Sequence, residues 1–343
     1  MVKVAVLGAT GYAGTELVRL LADHPGVELV FLSSESQAGS KFSQVHPQFE
    51  GLVDTRLQSL QVEAIPEGVK VVFCALPHGR SAPVVPGLLQ RGFKVIDLSA
   101  DFRLHPPALY PRWYGWEHPA PGLLRSSVYG LPEINASAVS RARLVANPGC
   151  FPTGAILPLA PLAAERLVDW DSVIIDAKTG VSGAGRTPRP GFHFPDCSDN
   201  FKAYRVGNHQ HTPEIEQELG RLAGGEVARV TFVPHLVPMI RGILSTVYVK
   251  MPGRSLEGLY DLYEDFYRDS IFVRVCRERL PETRLVRGSN YCDLALRVDE
   301  RAGRLIIISC IDNLIKGASG QAVQNMNLMF GYLQEEGLTQ VSF

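Results

Sequence analysis

Three glycines with two residues between each follow an apolar segment at the start of the chain. Residues 2–7 read Val-Lys-Val-Ala-Val-Leu, and Gly8, Gly11 and Gly14 come after them. Residues 15–33 then hold leucines at helical spacing and a second apolar run. This order is typical of a βαβ unit, in which a glycine turn brings backbone N–H groups close to a pyrophosphate. Similar turns can simply pack a helix on a sheet, so the position inside a βαβ unit is what favours a dinucleotide site.

The end of the second apolar run bears on which dinucleotide binds. Hydroxyl groups at Thr10, Ser33 and Ser34 can donate to a ribose 2′-phosphate, which favours NADP. Glu35 would favour NAD if its carboxylate pointed towards the ribose 2′-hydroxyl.

The rest of the chain divides into two regions of different character. Apolar runs at 69–76 and 93–98, with a helix between them at 82–91, continue a parallel sheet covered on both faces. After about residue 150 the pattern indicates a second domain with a mixed sheet. Its strands are predicted at 172–178, 229–233, 242–250, 291–298 and 304–311. We expect a long ordered loop at 180–207 and a closing helix at 317–334.

Charge and cysteine usage exclude several classes of partner. The formal net charge of -1 gives no general attraction to nucleic acid or anionic lipid. No apolar run approaches the ~20 residues of a membrane span. Six cysteines without a C-x-x-C pair are too few for a disulfide scaffold. We therefore expect a cytoplasmic protein that binds small molecules.

Cys150 stands apart from the other cysteines. It lies in the segment Asn-Pro-Gly-Cys-Phe-Pro-Thr-Gly, where an extended stretch passes into a helix. A thiol at a helix N-terminus is stabilised as the reactive thiolate by free N–H donors and the positive end of the dipole. Pro158 and Pro161 should keep the helix short or kinked. Cys150 is the candidate nucleophile.

Two histidines precede a second helix and could serve that thiol. His209 and His211 are followed by Thr-Pro-Glu, a helix start that includes Glu214. Either imidazole could meet Cys150. The same three side chains could also bind a metal. Zinc needs three or four ligands, and no further His/Cys cluster lies nearby except Cys197 and His193, so we expect no metal.

Arginines beside glycine-rich or strand-end backbone are candidates for binding substrate anions. Arg103 follows a strand end, and Arg241 precedes a strand. Arg186 ends a glycine-rich segment whose backbone could form an anion-binding nest, and Gly183 is part of it.

Eight segments together make the chain similar to a known family. They are GATGYAGTELVRLL, ALPHG at 75–79, DLSADFRL at 97–104, YGLPE at 129–133, NPGCFPTGAILPLAPL, KTGVSGAGR, GNHQHTPEIEQEL and IDNLIKGASGQAVQNMN at 311–327. On these motifs the chain resembles the N-acetyl-γ-glutamyl-phosphate reductases, the arginine-biosynthesis branch of the semialdehyde dehydrogenase superfamily.

The resemblance implies a fold, a cofactor and an assembly. Residues 1–149 with 317–343 would form a Rossmann NADP-binding domain, and 150–316 a mixed-sheet α/β domain for catalysis and oligomerisation. NADPH would be the reductant, an acyl phosphate the substrate and phosphate a product. Homo-oligomers, dimers or tetramers, would be expected.

The resemblance also implies roles for individual residues. Cys150 would be the nucleophile and His211 or His209 the acid–base group. The cofactor would contact Gly8, Thr10, Gly11, Tyr12, Ala13, Gly14, Ser33, Ser34, Leu76, Pro77, His78, Gly79 and Asn313. The substrate would contact Arg103, Ser182, Gly183, Arg186, Glu214 and Arg241.

Three alternatives remain at this level. The same chemistry on an α-aminoadipyl phosphate would place the protein in lysine biosynthesis, although NPGCFPTGA favours the arginine branch. A protein that senses NADP without catalysis would not need Cys150 at a helix start. A metallohydrolase would use His209, His211 and Glu214.

Overall fold

The computed structural model describes residues 1–188, 190–251 and 253–342. They form two compact units. The first comprises Met1–Gly149 and Ala318–Thr339, and the second comprises Cys150–Gly317 with a short stretch from Gln340.

The strands, in chain order, are β1 (Val2–Leu7), β2 (Val27–Ser33), β3 (Leu57–Gln58), β4 (Val71–Cys74), β5 (Lys94–Asp97), β6 (Val128–Tyr129), β7 (Leu144–Ala146), β8 (Ile174–Thr179), β9 (Lys202–Ala203), β10 (Thr231–Leu236), β11 (Ile243–Lys250), β12 (Val273–Val275), β13 (Cys292–Asp299) and β14 (Arg304–Ile311). The helices are α1 (Tyr12–Ala22), α2 (Phe42–Val45), α3 (Val85–Gln90), α4 (Leu109–Tyr114), α5 (Pro132–Arg141), α6 (Cys150–Ala164), α7 (Phe194–Cys197), α8 (Thr212–Leu222), α9 (Leu256–Phe266) and α10 (Gly320–Phe330).

The first unit has a seven-stranded sheet in the order β3-β2-β1-β4-β5-β7-β6, and every pairing in it is parallel. The strand order reverses between β1 and β4, so the loops that follow these two strands flank the position where open α/β sheets bind ligands. The predictions at 2–7 and 27–33 are confirmed, and the expected Rossmann-type fold with a second, mixed sheet is also confirmed.

The helix that closes the first unit begins later than predicted. A π-helical turn, Ile315–Ser319, precedes α10, so the regular helix covers Gly320–Phe330 and not the whole of 317–334. The Asn325 side-chain amide donates to Gly130 O at 2.8 Å and to Asn147 Oδ1 at 3.0 Å. These bonds attach α10 to the chain on either side of α5.

The second unit has a mixed sheet in the order β12-β13-β14-β11-β8-β10-β9. β11 is antiparallel to both β8 and β14, with Ile243 opposite Thr179 and Ile311. The start of β11 and the ends of β8 and β14 therefore lie at one edge of this sheet. The expected long loop at 180–207 contains a 3₁₀ turn (Val181–Ala184), α7 and β9.

Helix α6 is buried and apolar almost throughout, and it packs on β11, β14 and α8. Of the two expectations, a short or a kinked helix, the first is wrong, because α6 runs for 15 residues through both prolines. Pro161 has no N–H, so the carbonyl of Leu157 loses its helical donor. The Tyr267 hydroxyl donates to that carbonyl, and the Tyr263 hydroxyl donates to Pro158 O at 2.6 Å. Tyrosines near the end of α9 thus support a proline-containing helix.

Within the described residues, the structure contains no helix that is both long and apolar enough to cross a membrane.

We predict that Tyr267→Phe lowers the free energy of unfolding by about 1–3 kcal/mol, because the buried Leu157 carbonyl loses its donor. Chemical denaturation of the variant measures this loss. In a Pro161→Ala background the alanine N–H can bond the same carbonyl, so Tyr267→Phe should cost less there. If Tyr267→Phe lowers the free energy of unfolding equally with Pro161 and with Pro161→Ala, this account is contradicted.

Candidate functional site

The glycine turn between β1 and α1 has two glycines that the protein itself requires. Gly8 has φ +80°, and a Cβ there would lie 2.4 Å from Ala75 O. A Cβ at Gly14 would lie 2.2 Å from Gly8 O. A Cβ at Gly11 would meet nothing nearer than Gly8 O at 3.8 Å. The protein's own packing therefore does not require glycine at position 11, which leaves the turn open to a ligand.

The start of α1 is suited to an anion. Gly11 precedes the helix in an extended conformation, and among the described side chains none caps this end. Tyr12, Ala13 and Gly14 form the first turn, whose backbone N–H groups lack helical acceptors. Together with the open position at Gly11, these residues fit a dinucleotide pyrophosphate.

The hydroxyl groups expected to meet the ribose do lie near the turn. Thr10 Oγ1 and Ser34 Oγ are 2.8 Å apart, and Gly8 N donates to Ser33 O at 3.1 Å. Glu35 Oε1 accepts a hydrogen bond from Leu60 N at 2.7 Å. The Glu35 carboxylate thus has a backbone partner on the segment that follows β3.

The loop after β4, which includes Leu76, Pro77, His78 and Gly79, is held by a residue that the sequence analysis did not single out. Asp101 is fully buried, and its Oδ1 accepts from Gly79 N at 2.7 Å. Its Oδ2 accepts from Ser81 N and Ala82 N at 2.9 and 2.8 Å. His78 Nδ1 also accepts from Ala100 N at 3.0 Å. An Asp within DLSADFRL, a short acceptor following a strand, is the signal that could have indicated this role.

A second buried carboxyl lies beside Asp101. Asp97 ends β5 and accepts hydrogen bonds from Ser99 N at 3.1 Å and from Ser99 Oγ at 2.7 Å. Burial raises the pKa of Asp97 from 3.8 to about 7, and the charge of Asp101 adds to this effect. The pair therefore favours one protonated carboxyl near neutral pH.

Arg103 is buried, and its guanidinium donates to backbone carbonyl groups. Nε donates to Asn147 O and Nη2 to Leu98 O, each at 2.8 Å. In the described geometry the guanidinium thus connects the residue after β5 to the segment that leads to Cys150. The expected contact of Arg103 with substrate stays a prediction.

Cys150 is the first residue of α6 and is partly exposed, whereas the other five cysteines are buried. Burial raises the pKa of the Cys74 and Cys310 thiols, which disfavours their reactive form. A Cβ at Gly317, in the π-helical turn, would lie 2.8 Å from Cys150 Cβ. Backbone of that turn therefore packs directly on the cysteine.

The two histidines lie in an aromatic group next to the start of α6. The ring of His209 is 4.8 Å from that of His211 and 5.5 Å from that of Phe151. His211 N donates to His209 Nδ1 at 3.1 Å. Burial, with a contribution from Arg205, lowers the pKa of His209 to about 3. His209 is therefore neutral at physiological pH.

Tyr204 joins the same group and was not anticipated. Its ring is 5.7 Å from that of His209. Burial raises the pKa of the Tyr204 hydroxyl, and the charge of a Cys150 thiolate raises it further.

Glu214 is fully buried in the first turn of α8. Among the described residues, no group of three His, Cys, Asp or Glu side chains could hold a metal ion.

The remaining candidates gather at the edge of the second sheet. Asn313 follows β14, accepts from Gly242 N at 2.8 Å and donates to Ser182 Oγ at 3.0 Å. Arg241 Nη1 lies 3.7 Å from Asp312 Oδ2. Gly183 is in the 3₁₀ turn after β8, and Arg186 is exposed beyond it. Asn313, predicted to contact the cofactor, is thus brought together with substrate candidates of the second unit.

Solved structures with a similar fold were found by comparison. Aspartate semialdehyde dehydrogenase II of Vibrio cholerae, complexed with ASA, superposes with a TM-score of 0.73 at 18% identity, over 96% of this chain and 98% of that chain. The Candida albicans enzyme, solved with NADP, gives a TM-score of 0.72 at 19% identity, over 96% and 99%. At these identities the likeness establishes the fold.

Sequence comparison defines the class and then the family. Residues 3–142 match the family described as semialdehyde dehydrogenase, NAD binding domain, and residues 150–313 match semialdehyde dehydrogenase, dimerisation domain. The chain thus has the domains of a semialdehyde dehydrogenase. The chain is 53% identical to N-acetyl-gamma-glutamyl-phosphate reductase of Pelotomaculum thermopropionicum, over 98% of this chain and 97% of the relative. The Bacillus subtilis protein of the same name is 48% identical, over 98% of each. The chain belongs to the N-acetyl-gamma-glutamyl-phosphate reductase family, which confirms the resemblance seen in its motifs.

The Asp97 carboxyl makes a testable contribution to stability. Its pKa in the folded chain, about 7, lies above the ordinary 3.8, so folding favours the protonated form. The resulting stabilisation is complete below about pH 4 and is lost as the pH rises through 7. We predict that Asp97→Asn flattens the decline in the free energy of unfolding across this range. Urea denaturation at a series of pH values tests this, with the exposed Asp23→Asn as a control that should keep the wild-type slope.

Proposed function

We propose that the protein catalyses the NADPH-dependent reduction of N-acetyl-γ-glutamyl phosphate to N-acetylglutamate 5-semialdehyde, with release of phosphate, in arginine biosynthesis. Relatives of this name that align over nearly the whole chain support the reaction. The single structural observation that carries it is the partly exposed Cys150 thiol at the first position of α6.

The first unit would bind NADP(H). Gly11 and the first turn of α1 would hold the pyrophosphate, and Thr10, Ser33 and Ser34 would meet the ribose phosphate. The Glu35 carboxylate is bonded to Leu60 N, which supports NADP over NAD because one of its oxygens is already engaged. When bound, NADPH supplies the hydride.

Cys150 would act as the nucleophile. The helix start favours the thiolate, which attacks the acyl carbon of the substrate. A carbon–sulfur bond forms and the carbon–oxygen bond to phosphate breaks, giving a thioester on Cys150. After reduction, the hemithioacetal oxyanion would be stabilised by the Cys150 backbone N–H and an imidazole. Collapse then releases the aldehyde and restores the thiolate.

His211 is the better candidate for the acid–base group. A proton donor must hold its proton near neutral pH, and the pKa of His209, lowered to about 3, prevents this. His209 instead accepts from His211 N and would fix the backbone that carries the catalytic imidazole.

The substrate would bind at the edge of the second sheet. Arg241 supplies a guanidinium there, and the Ser182 hydroxyl is held by Asn313. Gly183, Arg186 and Glu214 would contribute from the loop after β8 and from α8. Arg103, whose Nε donates to Asn147 O in the segment before Cys150, would also contact the substrate.

We also propose a cytoplasmic homo-oligomer, as a dimer or tetramer. The family description of residues 150–313 as a dimerisation domain supports association. One face of the second sheet packs on α6, whereas the other has partly exposed side chains. Ile174, Val233 and Tyr248 line a groove of about 470 Å³ on that face.

Adding purified protein to NADP, phosphate and N-acetylglutamate semialdehyde should produce the absorbance of reduced nicotinamide. We predict that Cys150→Ser abolishes this signal, because a hydroxyl is a far weaker nucleophile than a thiolate. NADP affinity, measured by calorimetry, should be unchanged. Cys276→Ser, which alters a buried thiol in the same unit, is the matched control and should stay active.

Full activity of Cys150→Ser would overturn the mechanism. Faster turnover of an α-aminoadipyl semialdehyde would assign the protein to the lysine pathway. NADP binding without turnover of either aldehyde would favour a sensing role.

We predict that His211→Ala lowers kcat by about 10²–10⁴-fold, because the proton donor is lost. His209→Asn should lose much less, because its side-chain oxygen can accept the His211 N–H as Nδ1 does. Steady-state kinetics of the two variants distinguishes the roles. The assignment fails if the two variants lose kcat equally.

A further inference from the structure

Asp312 is a buried carboxylate beside the candidate substrate site, and the mechanism above does not use it. It directly follows β14 and is fully buried. Its Oδ1 accepts from Leu314 N at 2.8 Å and from Ile315 N at 3.1 Å. Its Oδ2 accepts from Gly288 N at 2.7 Å. Three backbone donors thus hold this carboxylate in one orientation.

The same residue anchors the turn that packs on the nucleophile. Asp312 O accepts from Gly317 N at 2.9 Å, the bond that closes the π-helical turn. Gly317 in turn lies against Cys150, where a Cβ would approach within 2.8 Å of the cysteine Cβ. The backbone of Asp312 therefore supports the turn that packs on Cys150.

The Asp312 carboxylate also faces the candidate substrate arginine. Its Oδ2 lies 3.7 Å from Arg241 Nη1, and Arg241 is only partly exposed. The next side chain, Asn313, accepts from Gly242 N and so fixes the backbone beside Arg241. Two consecutive residues after β14 thus act at this point, Asn313 on the backbone N–H of Gly242 and Asp312 on the Arg241 guanidinium.

An arginine side chain has several rotatable bonds and needs a fixed partner to present its guanidinium in one direction. Asp312 carries a negative charge in a fixed position and can attract the Arg241 guanidinium. Both side chains are little exposed, so water screens this attraction only weakly. We propose that Asp312 is a positioning residue that aims the Arg241 guanidinium at the anionic group of the substrate. The proposal rests on the substrate site assigned under the proposed function.

Asp312→Asn tests the charge while keeping a side chain of the same shape. We expect KM for N-acetylglutamate semialdehyde to rise by about tenfold, because Arg241 loses its attractive partner. KM for NADP should change by less than about twofold, since all the residues expected to contact the cofactor except Asn313 lie in the first unit. The matched control is Asp293→Asn, which alters another fully buried carboxylate of this unit, one that pairs with Arg274 and Arg279. Its KM values should stay near those of the wild type.

A double-mutant cycle with Arg241→Ala separates positioning from a general structural role. If Asp312 acts through Arg241, adding Asp312→Asn to Arg241→Ala should raise KM no further. If KM of the double variant instead rises by the product of the two single-variant fold-changes, the proposal is overturned. An equal rise in KM for Asp293→Asn would also overturn it.

Asp312→Ser gives a second variant if Asp312→Asn does not fold, since a serine hydroxyl can still accept from Leu314 N. Failure of both variants to fold would show that the carboxylate is chiefly structural and would overturn the proposal.

Binding of N-acetylglutamate, measured by calorimetry, repeats the cycle without turnover. If the two substitutions are non-additive for binding of this anion but the protein does not turn over the semialdehyde, the proposed reaction is overturned and the role of Asp312 is supported. If the protein turns over the semialdehyde and the effects of the two substitutions are additive, the reaction is supported and the role of Asp312 is overturned. Absence of binding together with absence of turnover would overturn both.

Discussion

Backbone N–H groups in the loops next to strand ends need hydrogen-bond acceptors. In both units a buried carboxylate supplies them. Asp101 binds three N–H groups of residues 79–82 in the first unit. Asp312 binds three in the second, from residues 288, 314 and 315. A buried carboxylate is stable only when such donors compensate for lost hydration. Loops held in this way can present ligand-binding backbone in one conformation, which is what a preorganised site requires.

The second unit depends in a similar way on a helix whose own hydrogen bonding is incomplete. Helix α6 carries Cys150 at its exposed start, and the rest of it is buried in the core. Its two prolines lower the number of internal bonds, and tyrosine hydroxyls from the region of α9 bind carbonyl groups there. The position of the thiol is therefore tied to packing about two turns away along the helix, at Leu157 and Pro158.

Much of this could be predicted from the sequence because apolar periodicity and glycine spacing are local signals. The strand at 304–311 and the helix start at Cys150 have the bounds expected of them, whereas α1 begins at Tyr12, within the glycine turn. Short strands such as β3 and β9 have too few residues to show a period. The Asp in DLSADFRL indicates an acceptor, but the sequence does not show which N–H groups it binds. The contacts of Asp312 with Arg241 and of Gly317 with Cys150 join distant segments, which no spacing rule reveals. The choice between His209 and His211 likewise depended on burial, which only the folded chain defines.

The bond between Glu35 and Leu60 N has a consequence for engineering the coenzyme preference. Protein engineers commonly change the acidic or basic character of the residue after the second strand of such a fold. Here that residue is also a support for the chain beyond β3. A basic side chain at position 35 would remove an acceptor from an exposed backbone donor while it altered the charge near the proposed ribose site. A redesign of coenzyme preference at position 35 would therefore also need a replacement hydrogen-bond acceptor for Leu60 N.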